Sequence, residues 1–289
     1  MTAEAMTKAP AAAAPRKRRR RGEMELITAV IAAAVVVVLA RVLLFQPFII
    51  PSASMEPNLL EGDYIVVSTL SYGVSKHAIP FSPPLFSGRL LNRAPDRGDI
   101  VVFKLPREAN TTGAVYVKRL IGLPGDRIQI RQGLVYINDT PVIRKPAPAG
   151  QEDAGDGISV PVSRYWETLP NGRTYLTNSY GNDNPAENTG VYVVPQHCYF
   201  TLGDNRDNSL DSRFDPAMPA SMTGSATCGW DPALDKFIPG DAGVGFVPEE
   251  DLVGHAQLVL FSAKPGASLL KPASWGSSLR PDRAFRLLK

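Results

Sequence analysis

A single apolar stretch divides this chain and limits what the rest of it can fold into. From Leu26 to Phe45 the only charged residue is Arg41. Twenty helical residues, at 1.5 Å per residue, are long enough to cross a hydrocarbon layer of roughly 30 Å. Residues 16–21 are all basic, and basic residues stay on the cytoplasmic side of a membrane span. The predicted organisation is therefore a disordered basic tail at 1–25, a transmembrane helix at 26–45 and an extracytoplasmic body at 46–289.

A nucleic-acid-binding segment and a cleaved signal peptide both fit this stretch less well than an anchor does. Basic runs occur in nucleic-acid-binding proteins, but a run just before an apolar span is typical of membrane topology. The body beyond residue 25 has a net charge of about −1, so no nucleic-acid partner is predicted. A cleaved signal peptide has an apolar core of about 7 to 15 residues, which is shorter than the present stretch. The sequence therefore favours a retained anchor.

The body has the pattern of a mainly β protein. Short runs of β-branched and aromatic residues alternate with Gly, Pro, Asn and Asp, which is typical of antiparallel sheets. The predicted fold class is an antiparallel β-sheet domain with a smaller inserted β subdomain at 129–197, and tight turns at Gln132-Gly133 and Asn138-Asp139. The predicted strands are Asp63–Ser68, Asp99–Lys104, Val115–Ile121, Ile128–Ile130, Leu134–Ile137, Thr174–Thr177, Val191–Val194, Tyr199–Leu202 and Gln257–Phe261.

Three stretches are predicted to depart from the sheet. The loop from Tyr72 to Arg93 is rich in apolar residues, and it either packs on its own sheet or rests in the lipid surface as an apolar rim. Residues 145–165 are rich in Pro, Gly, Asp and Ser, which indicates an excursion. Residues 214–243 are predicted to be an insertion.

The segment PSASMEP, residues 51–57, is the strongest indication of a catalytic site. Ser52 and Ser54 lie between prolines that restrict the backbone on both sides. A serine becomes an effective nucleophile only when a neighbouring group takes its proton. None of the three histidines lies in a catalytic pattern, so a lysine is the leading base. Lys118, in the apolar run AVYVKRLIG, is the lysine that the sequence favours.

Four segments resemble, in the same order, the extracytoplasmic blocks of bacterial type I signal peptidases. They are PSASMEP (51–57), RGDIVVFKLP (97–106), VKRLIGLPGD (117–126) and GDNRDNSLDSR (203–213). The resemblance extends from the membrane span to about Gly254, with a weaker match at Trp275, Arg280 and Arg283.

This resemblance implies a function and a location. The implied protein is a single-pass serine endopeptidase of the inner membrane, with its amino terminus in the cytoplasm and its catalytic domain in the periplasm. It would cleave amino-terminal signal peptides from exported preproteins after small residues, Ala-x-Ala. The implied partners are preproteins and membrane lipid, and no cofactor or metal ion is needed.

The resemblance also implies roles for individual residues. Ser54 occupies the position of the nucleophile and Lys118 that of the general base. A lysine with a pKa of about 10.4 is almost fully protonated at pH 7, so the site must lower this pKa by roughly 2 units. The oxyanion donors are the hydroxyl of Ser52 and the backbone N–H of Ser54. The implied supporting residues are Ser209, which orients the lysine, the ion pair of Asp211 and Arg213, and Arg119 and Asp204 in the same shell.

Several residues allow a second interpretation. Asp204, Asp207 and Asp211 have the spacing of an oxygen-rich calcium loop, but the glutamate that closes an EF-hand loop is missing. His255 stands where family members usually have a basic residue, and we expect it to be a partly buried or surface histidine. Cys198 and Cys228 would lie in an oxidising compartment, where a bridge would join the insertion to the strand before Gly203 and stabilise the fold by about 3 kcal/mol. Their redox state stays open.

Two alternatives from different functional classes also remain at this level. A self-cleaving repressor of the SOS type uses the same Ser/Lys pair, but it carries a DNA-binding domain where this chain has an apolar span. A non-enzymatic single-pass β-domain that binds envelope partners would leave Ser54 and Lys118 without a role.

Overall fold

The structure is a computed structural model that describes residues 16–79, 88–104, 115–153, 159–181, 184–216, 228–238, 243–264 and 278–288. The chain divides into two compact units, Met1–Val42 and Leu43–Lys289. The predicted apolar rim lies largely outside the described residues, as do residues 217–227 and 239–242 of the predicted insertion.

One long helix, α1, covers Arg16–Leu44. It begins inside the stretch predicted to be a disordered tail, because Arg, Lys and Glu are good helix formers. It ends before Phe45, which was predicted to close the span and instead begins a strand. No helix in the described part of the chain combines the length and the apolar character needed to cross a membrane. The side chains of residues 38–43, within the predicted span, lie outside the described residues.

Seventeen strands and several short 3₁₀ helices make up the rest of the regular structure that is described. In chain order they are β1 Phe45–Ile49, β2 Asp63–Ser68, β3 Val74–Ser75, β4 Arg89–Leu90, β5 Ile100–Phe103, β6 Tyr116–Gly122, β7 Arg127–Arg131, β8 Leu134–Ile137, β9 Thr140–Pro141, β10 Ile143–Asp153, β11 Ser159–Thr168, β12 Thr174–Ser179, β13 Tyr192–Val193, β14 Cys198–Leu202, β15 Val247–Pro248, β16 Leu252–Ser262 and β17 Arg286–Leu287.

These strands form antiparallel sheets, which confirms the predicted mainly β class. The largest sheet has eight strands in the order β1-β2-β16-β5-β6-β14-β15, with β17 paired to β16. A four-stranded sheet has the order β13-β7-β8-β9, a three-stranded sheet the order β10-β11-β12, and β3 pairs with β4. The two middle-sized sheets come from the chain between Arg127 and Val193. Their separation as a subdomain at 129–197 stays a prediction.

Both predicted tight turns are confirmed by the backbone. Gln132 and Gly133, which join β7 to β8, have φ of 50° and 71°. Asn138 and Asp139, which join β8 to β9, have φ of 52° and 63°. Two consecutive residues with positive φ are the signature of a type I′ hairpin turn.

The stretch 145–165 lies outside the large sheet, as predicted, but β10 and β11 form a long regular hairpin there instead of a loop. Prolines misled the prediction, since they remove ladder hydrogen bonds from a strand. β10 is the edge strand of its sheet, where a missing N–H is tolerated. The register shifts between Ala147 and Gly150, so Pro148 lies at an irregularity that accommodates it.

A buried apolar cluster supports the segment that carries Ser54. Met55 and Leu59 are 1% and 0% exposed, and both pack with residues of the large sheet. The other buried members of this cluster are Ile50, Ile65, Val67, Ile100, Val102, Val117, Val253, Ala256 and Val259. Because Met55 follows Ser54 directly, burial of its side chain anchors the serine to the core.

A disulfide joins the described part of the insertion to the large sheet. Cys198 in β14 is bonded to Cys228, with Cα atoms 5.8 Å apart. Trp230 packs against the neighbouring buried cluster, and its indole N–H donates to Asp235 Oδ1 over 2.8 Å. A bridge that closes about 30 residues stabilises a fold by about 3 to 4 kcal/mol in the chain-entropy account. The sequence left this bridge open, and the structure contains it.

Candidate active site

Ser54 lies in a single turn of 3₁₀ helix, Ala53–Met55. The backbone N–H of Glu56 donates to the carbonyl of Ala53 over 3.0 Å, and that of Leu59 donates to the carbonyl of Met55 over 2.9 Å. The turn presents Ser54 with 9% of its surface exposed. A serine held in this way keeps its hydroxyl in one place and still reachable.

Lys118 reaches this hydroxyl from the middle of the large sheet. It lies in β6, which pairs with β5 and β14. Its side chain is buried, and Nζ lies 2.6 Å from Ser54 Oγ. Ser52 Oγ lies 3.3 Å from the same Ser54 oxygen. The structure thus brings together Ser52, Ser54 and Lys118, which lie in two separate segments of the sequence.

The surroundings of Lys118 favour its neutral form. Burial lowers the pKa of Lys118 to about 8, against the opposing effect of the Asp211 carboxylate, and the Arg213 cation lowers it further. A charged amine loses hydration when it is buried, so the neutral amine is relatively stabilised. With a pKa of about 8, about one Lys118 in ten is neutral at pH 7. Such an amine can accept a proton near neutral pH.

Arg119 and Asp204 form a buried ion pair next to this site. Arg119 Nε donates to Asp204 Oδ1 over 2.7 Å and Nη2 donates to Oδ2 over 2.8 Å. The guanidinium also stacks 4.1 Å from the centre of the Tyr175 ring. Asn58 Nδ2 donates to Asp204 Oδ2 over 2.8 Å. The pair ties β6 to the segment after β14.

Asp211 and Arg213 form a second buried pair. Arg213 Nε and Nη2 donate to the two carboxylate oxygens over 2.8 and 2.9 Å. The backbone N–H of Gly203 donates to Asp211 Oδ2 over 3.0 Å. These bonds, together with the charge of Arg213, hold the pKa of Asp211 below its usual range despite its burial. The two groups therefore stay charged beside Lys118.

Ser209 lies at the site, but its hydroxyl does not make the predicted contact that would orient Lys118. It lines the same cleft as Ser54 and Lys118. Its Oγ is buried and makes no hydrogen bond to any residue that the structure describes. A Cβ at Gly203 would lie 2.2 Å from Ser209 Oγ and 2.6 Å from the carbonyl of Ser54, so a side chain at 203 would displace one of them. The role of Ser209 in orienting Lys118 stays a prediction.

A cleft of about 780 Å³ opens onto Ser54 and Lys118. Apolar residues on either side of the two serines and before the lysine line much of it, including Phe48, Ile50 and Val115. Phe214 and Ile238, in the described part of the predicted insertion, also line it.

The histidines and the three aspartates of the calcium alternative have other partners. His77, His197 and His255 lie 3.5, 3.0 and 3.7 Å from carboxylates of Asp251, Glu249 and Asp99 respectively. The side chain of His255 is 20% exposed, which confirms a partly buried histidine. Asp204 and Asp211 pair with arginines, and Asp207 accepts from Ser179 Oγ and Asn184 Nδ2. Among the described residues, no group of acidic, His or Cys side chains has metal-binding geometry.

Sequence reasoning missed several buried polar groups around the site. Arg206 donates to both carboxylate oxygens of Glu167 over 2.9 and 2.6 Å. Asn205 contacts the carbonyls of the nucleophile turn and the carboxylate of Glu152. Asn205 and Arg206 lie inside the block GDNRDNSLDSR, which could have indicated them. Glu152 and Glu167 lie in the hairpin β10–β11, outside every recognised block.

Comparison with known proteins identifies the family. A family model described as signal peptidase, peptidase S26, matches residues 23–261. The chain belongs to the signal peptidase S26 family. Signal peptidase I of Rickettsia typhi is 38% identical over 265 residues, which cover 86% of this chain and 87% of that one. Signal peptidase I of Rickettsia rickettsii is 39% identical over 268 residues, with the same coverage.

Family membership confirms the assignment made from the four sequence blocks. This signal peptidase is a serine endopeptidase, which decides against the self-cleaving repressor and the non-enzymatic β-domain. A signal peptidase I of Enterococcus faecalis with a crystal structure covers 56% of this chain and 97% of its own, with 23% identity. Its TM-score is 0.27.

Proposed function

We propose that this peptidase is anchored in the inner membrane and removes amino-terminal signal peptides from exported preproteins. It cleaves after small residues in the pattern Ala-x-Ala, with Ser54 as the nucleophile and Lys118 as the general base. The observation that carries the proposal is the 2.6 Å distance between Lys118 Nζ and Ser54 Oγ, in an apolar cleft of a chain from this family.

The proposed reaction uses Lys118 twice. As Ser54 Oγ attacks the scissile carbonyl carbon, neutral Lys118 takes the serine proton. The Ser52 hydroxyl and the Ser54 N–H donate to the oxyanion that forms. When the carbon–nitrogen bond breaks, Lys118 returns the proton to the leaving amine, and an acyl-enzyme remains. Lys118 then takes a proton from the water that attacks this ester, and it returns that proton to Ser54 Oγ when the carbon–oxygen bond of the ester breaks.

The proposed anchor accounts for where the reaction takes place. The apolar stretch ends at Phe45, nine residues before Ser54, which is at most about 30 Å of extended chain. Cleavage therefore occurs near the membrane surface, where the apolar region of a signal peptide leaves its cleavage site. The basic run at residues 16–21 supports an amino terminus in the cytoplasm and a peptidase domain in the periplasm.

The substrate assignment is tested with the detergent-solubilised full-length protein and a purified preprotein. We expect one cut, after the Ala-x-Ala sequence, identified by mass spectrometry of the mature amino terminus. A matched preprotein with Phe at position −1 should be cleaved at least about 100-fold more slowly, because a shallow site that fits a methyl group excludes a large ring. Equal cleavage of both preproteins would contradict the proposed specificity.

The pH dependence tests Lys118 as the base. We expect kcat/KM to rise tenfold per pH unit at low pH and to level off near pH 8. The value of kcat/KM rises with pH because only the neutral amine accepts the serine proton. It levels off near pH 8 because the pKa of Lys118 is lowered to about 8. The measurement is kcat/KM for a preprotein between pH 5 and pH 10.

His255→Gln is the matched control for this profile. His255 pairs with Asp99, and its replacement should leave the acid limb where it is. A limb near pH 6.5 that disappeared in His255→Gln would assign the base to the histidine and contradict the proposal.

A further inference from the structure

A buried carboxylate lies behind the nucleophile turn and has no part in the mechanism above. Glu152, near the end of β10, is 3% exposed. Its two oxygens accept from Asn205 Nδ2 over 2.7 and 2.8 Å. Longer contacts of 3.5 and 3.4 Å come from the side-chain amides of Asn178 and Asn208. The side-chain amides that donate to this carboxylate are neutral, and the shortest of these hydrogen bonds come from Asn205.

Asn205 also makes two bonds to the turn that carries the nucleophile. Its backbone N–H donates to the carbonyl of Ser54 over 3.1 Å. Its side-chain Nδ2 donates to the carbonyl of Ala53 over 3.3 Å. Asn205 is completely buried. One residue therefore holds the carbonyl groups on both sides of the Ser54 Cα.

The charge of Glu152 decides which way the Asn205 amide points. If the amide rotated by 180°, its oxygen would face two carboxylate oxygens, and its nitrogen would leave both Glu152 and Ala53. Repulsion between these oxygens in a buried environment disfavours that arrangement strongly. A hydrogen bond to a charged acceptor is also stronger than one to a neutral acceptor. The carboxylate thus keeps the amide N–H groups aimed at the nucleophile turn.

We propose that Glu152 is a positioning residue, which acts through Asn205 to hold the Ser54 turn in register with Lys118. The proposal rests on the proposed roles of Ser54 and Lys118. It also gives the long hairpin β10–β11 a part in the reaction, since the hairpin supplies the carboxylate. Glu152 touches neither the substrate cleft nor the reacting atoms.

The test uses Glu152→Gln, which keeps the size of the side chain and removes its charge, and Asn205→Ala, which removes the amide. We expect Glu152→Gln to lower kcat roughly 10-fold and Asn205→Ala roughly 100-fold, with KM unchanged, because small misplacements of a reacting group have effects of this size. The acid limb near pH 8 should not move, since Glu152 is not among the groups that shift the pKa of Lys118.

A double variant and a control separate positioning from simple support of the fold. In the Asn205→Ala background, Glu152→Gln should lower kcat no further, because the link to the turn is already broken. Tyr180→Phe removes a hydroxyl that bonds to Glu152 and lies 3.5 Å from Asn205 Nδ2, but it leaves the two Asn205 bonds to the nucleophile turn in place, so its kcat should stay within about twofold of wild type. The proposal would be overturned if the loss of kcat in the double variant equalled the product of the two single losses. It would also be overturned if the single variants raised KM and left kcat unchanged.

A structural readout keeps this inference separate from the proposed function. Crystal structures of the full chain and of Glu152→Gln should show a distance from Ser54 Oγ to Lys118 Nζ that is measurably longer in the variant than the 2.6 Å of the wild type. An unchanged distance would overturn the inference, whatever the substrate. If the wild type cleaved no preprotein, the proposed function would fall, while this distance would still decide the role of Glu152.

Discussion

Ser54→Ala and Lys118→Met are each expected to lower kcat for preprotein cleavage by roughly 10⁶-fold, the scale seen when the nucleophile or the base of a serine protease is removed. Alanine has no group to form the acyl-enzyme. Methionine fills the space of the lysine side chain but accepts no proton. Both variants should stay folded, because each replaces a side chain by one that an apolar core accommodates. The measurement is single-turnover cleavage of a preprotein together with the unfolding midpoint.

Two further variants make this prediction specific. Lys104→Met changes another partly buried lysine, whose pKa is also lowered by burial but which lies outside the cleft, and its activity should match wild type. Ser54→Cys should keep part of the activity, since a thiol loses its proton more readily than a hydroxyl. Substantial turnover by Ser54→Ala or Lys118→Met would contradict the assignment of the pair.

Asp204→Asn is expected to lower the free energy of unfolding by about 3 to 5 kcal/mol, the usual loss when one partner of a buried ion pair is removed. Arg119 and Asp204 side chains are each 1% exposed. Asparagine would leave the Arg119 guanidinium buried and charged, because an arginine does not lose its proton in a protein. Urea unfolding of the purified protein measures the change.

Asp139→Asn is the matched control for this loss. Asp139 pairs with Arg127 over 3.7 Å, and the two side chains are 68% and 51% exposed. We expect this change to lower the free energy of unfolding by less than about 1 kcal/mol, because exposed ion pairs are hydrated and screened. Similar losses from the two substitutions would show that Asp204 stabilises the fold through something other than the charge of Arg119.

The sequence predicted the strands that are runs of β-branched and aromatic residues, and it missed β1 and the hairpin β10–β11, which contain prolines. β2 and β8 have the predicted bounds, because runs such as DYIVVS combine β-branched residues with period-two burial. β1 was missed because Phe45 and Phe48 looked like a continuation of the apolar span. The hairpin β10–β11 was missed because proline frequency does not show whether a strand lies at a sheet edge.

The residues of the candidate site also separate into those that the sequence predicted and those that it missed. Ser54, Lys118 and the Asp211–Arg213 pair were predicted because they lie in recognisable blocks. The role of Glu152 depends on a contact with Asn205, 53 positions away, and no local pattern encodes a contact at that separation. Ser209 shows the opposite case, since its block was recognised but the predicted bond to Lys118 depends on side-chain geometry that the block does not fix.

The Cys198–Cys228 bridge also gives this chain a closed covalent ring of residues 198–228. A protease that cuts one peptide bond inside this ring produces two fragments that stay linked. The first fragment holds Ser54 and Lys118, and the second holds β16, which lies between β2 and β5 in the large sheet. A nicked molecule therefore keeps all strands of that sheet in one covalent unit, and it separates into two bands on a gel only after the disulfide is reduced.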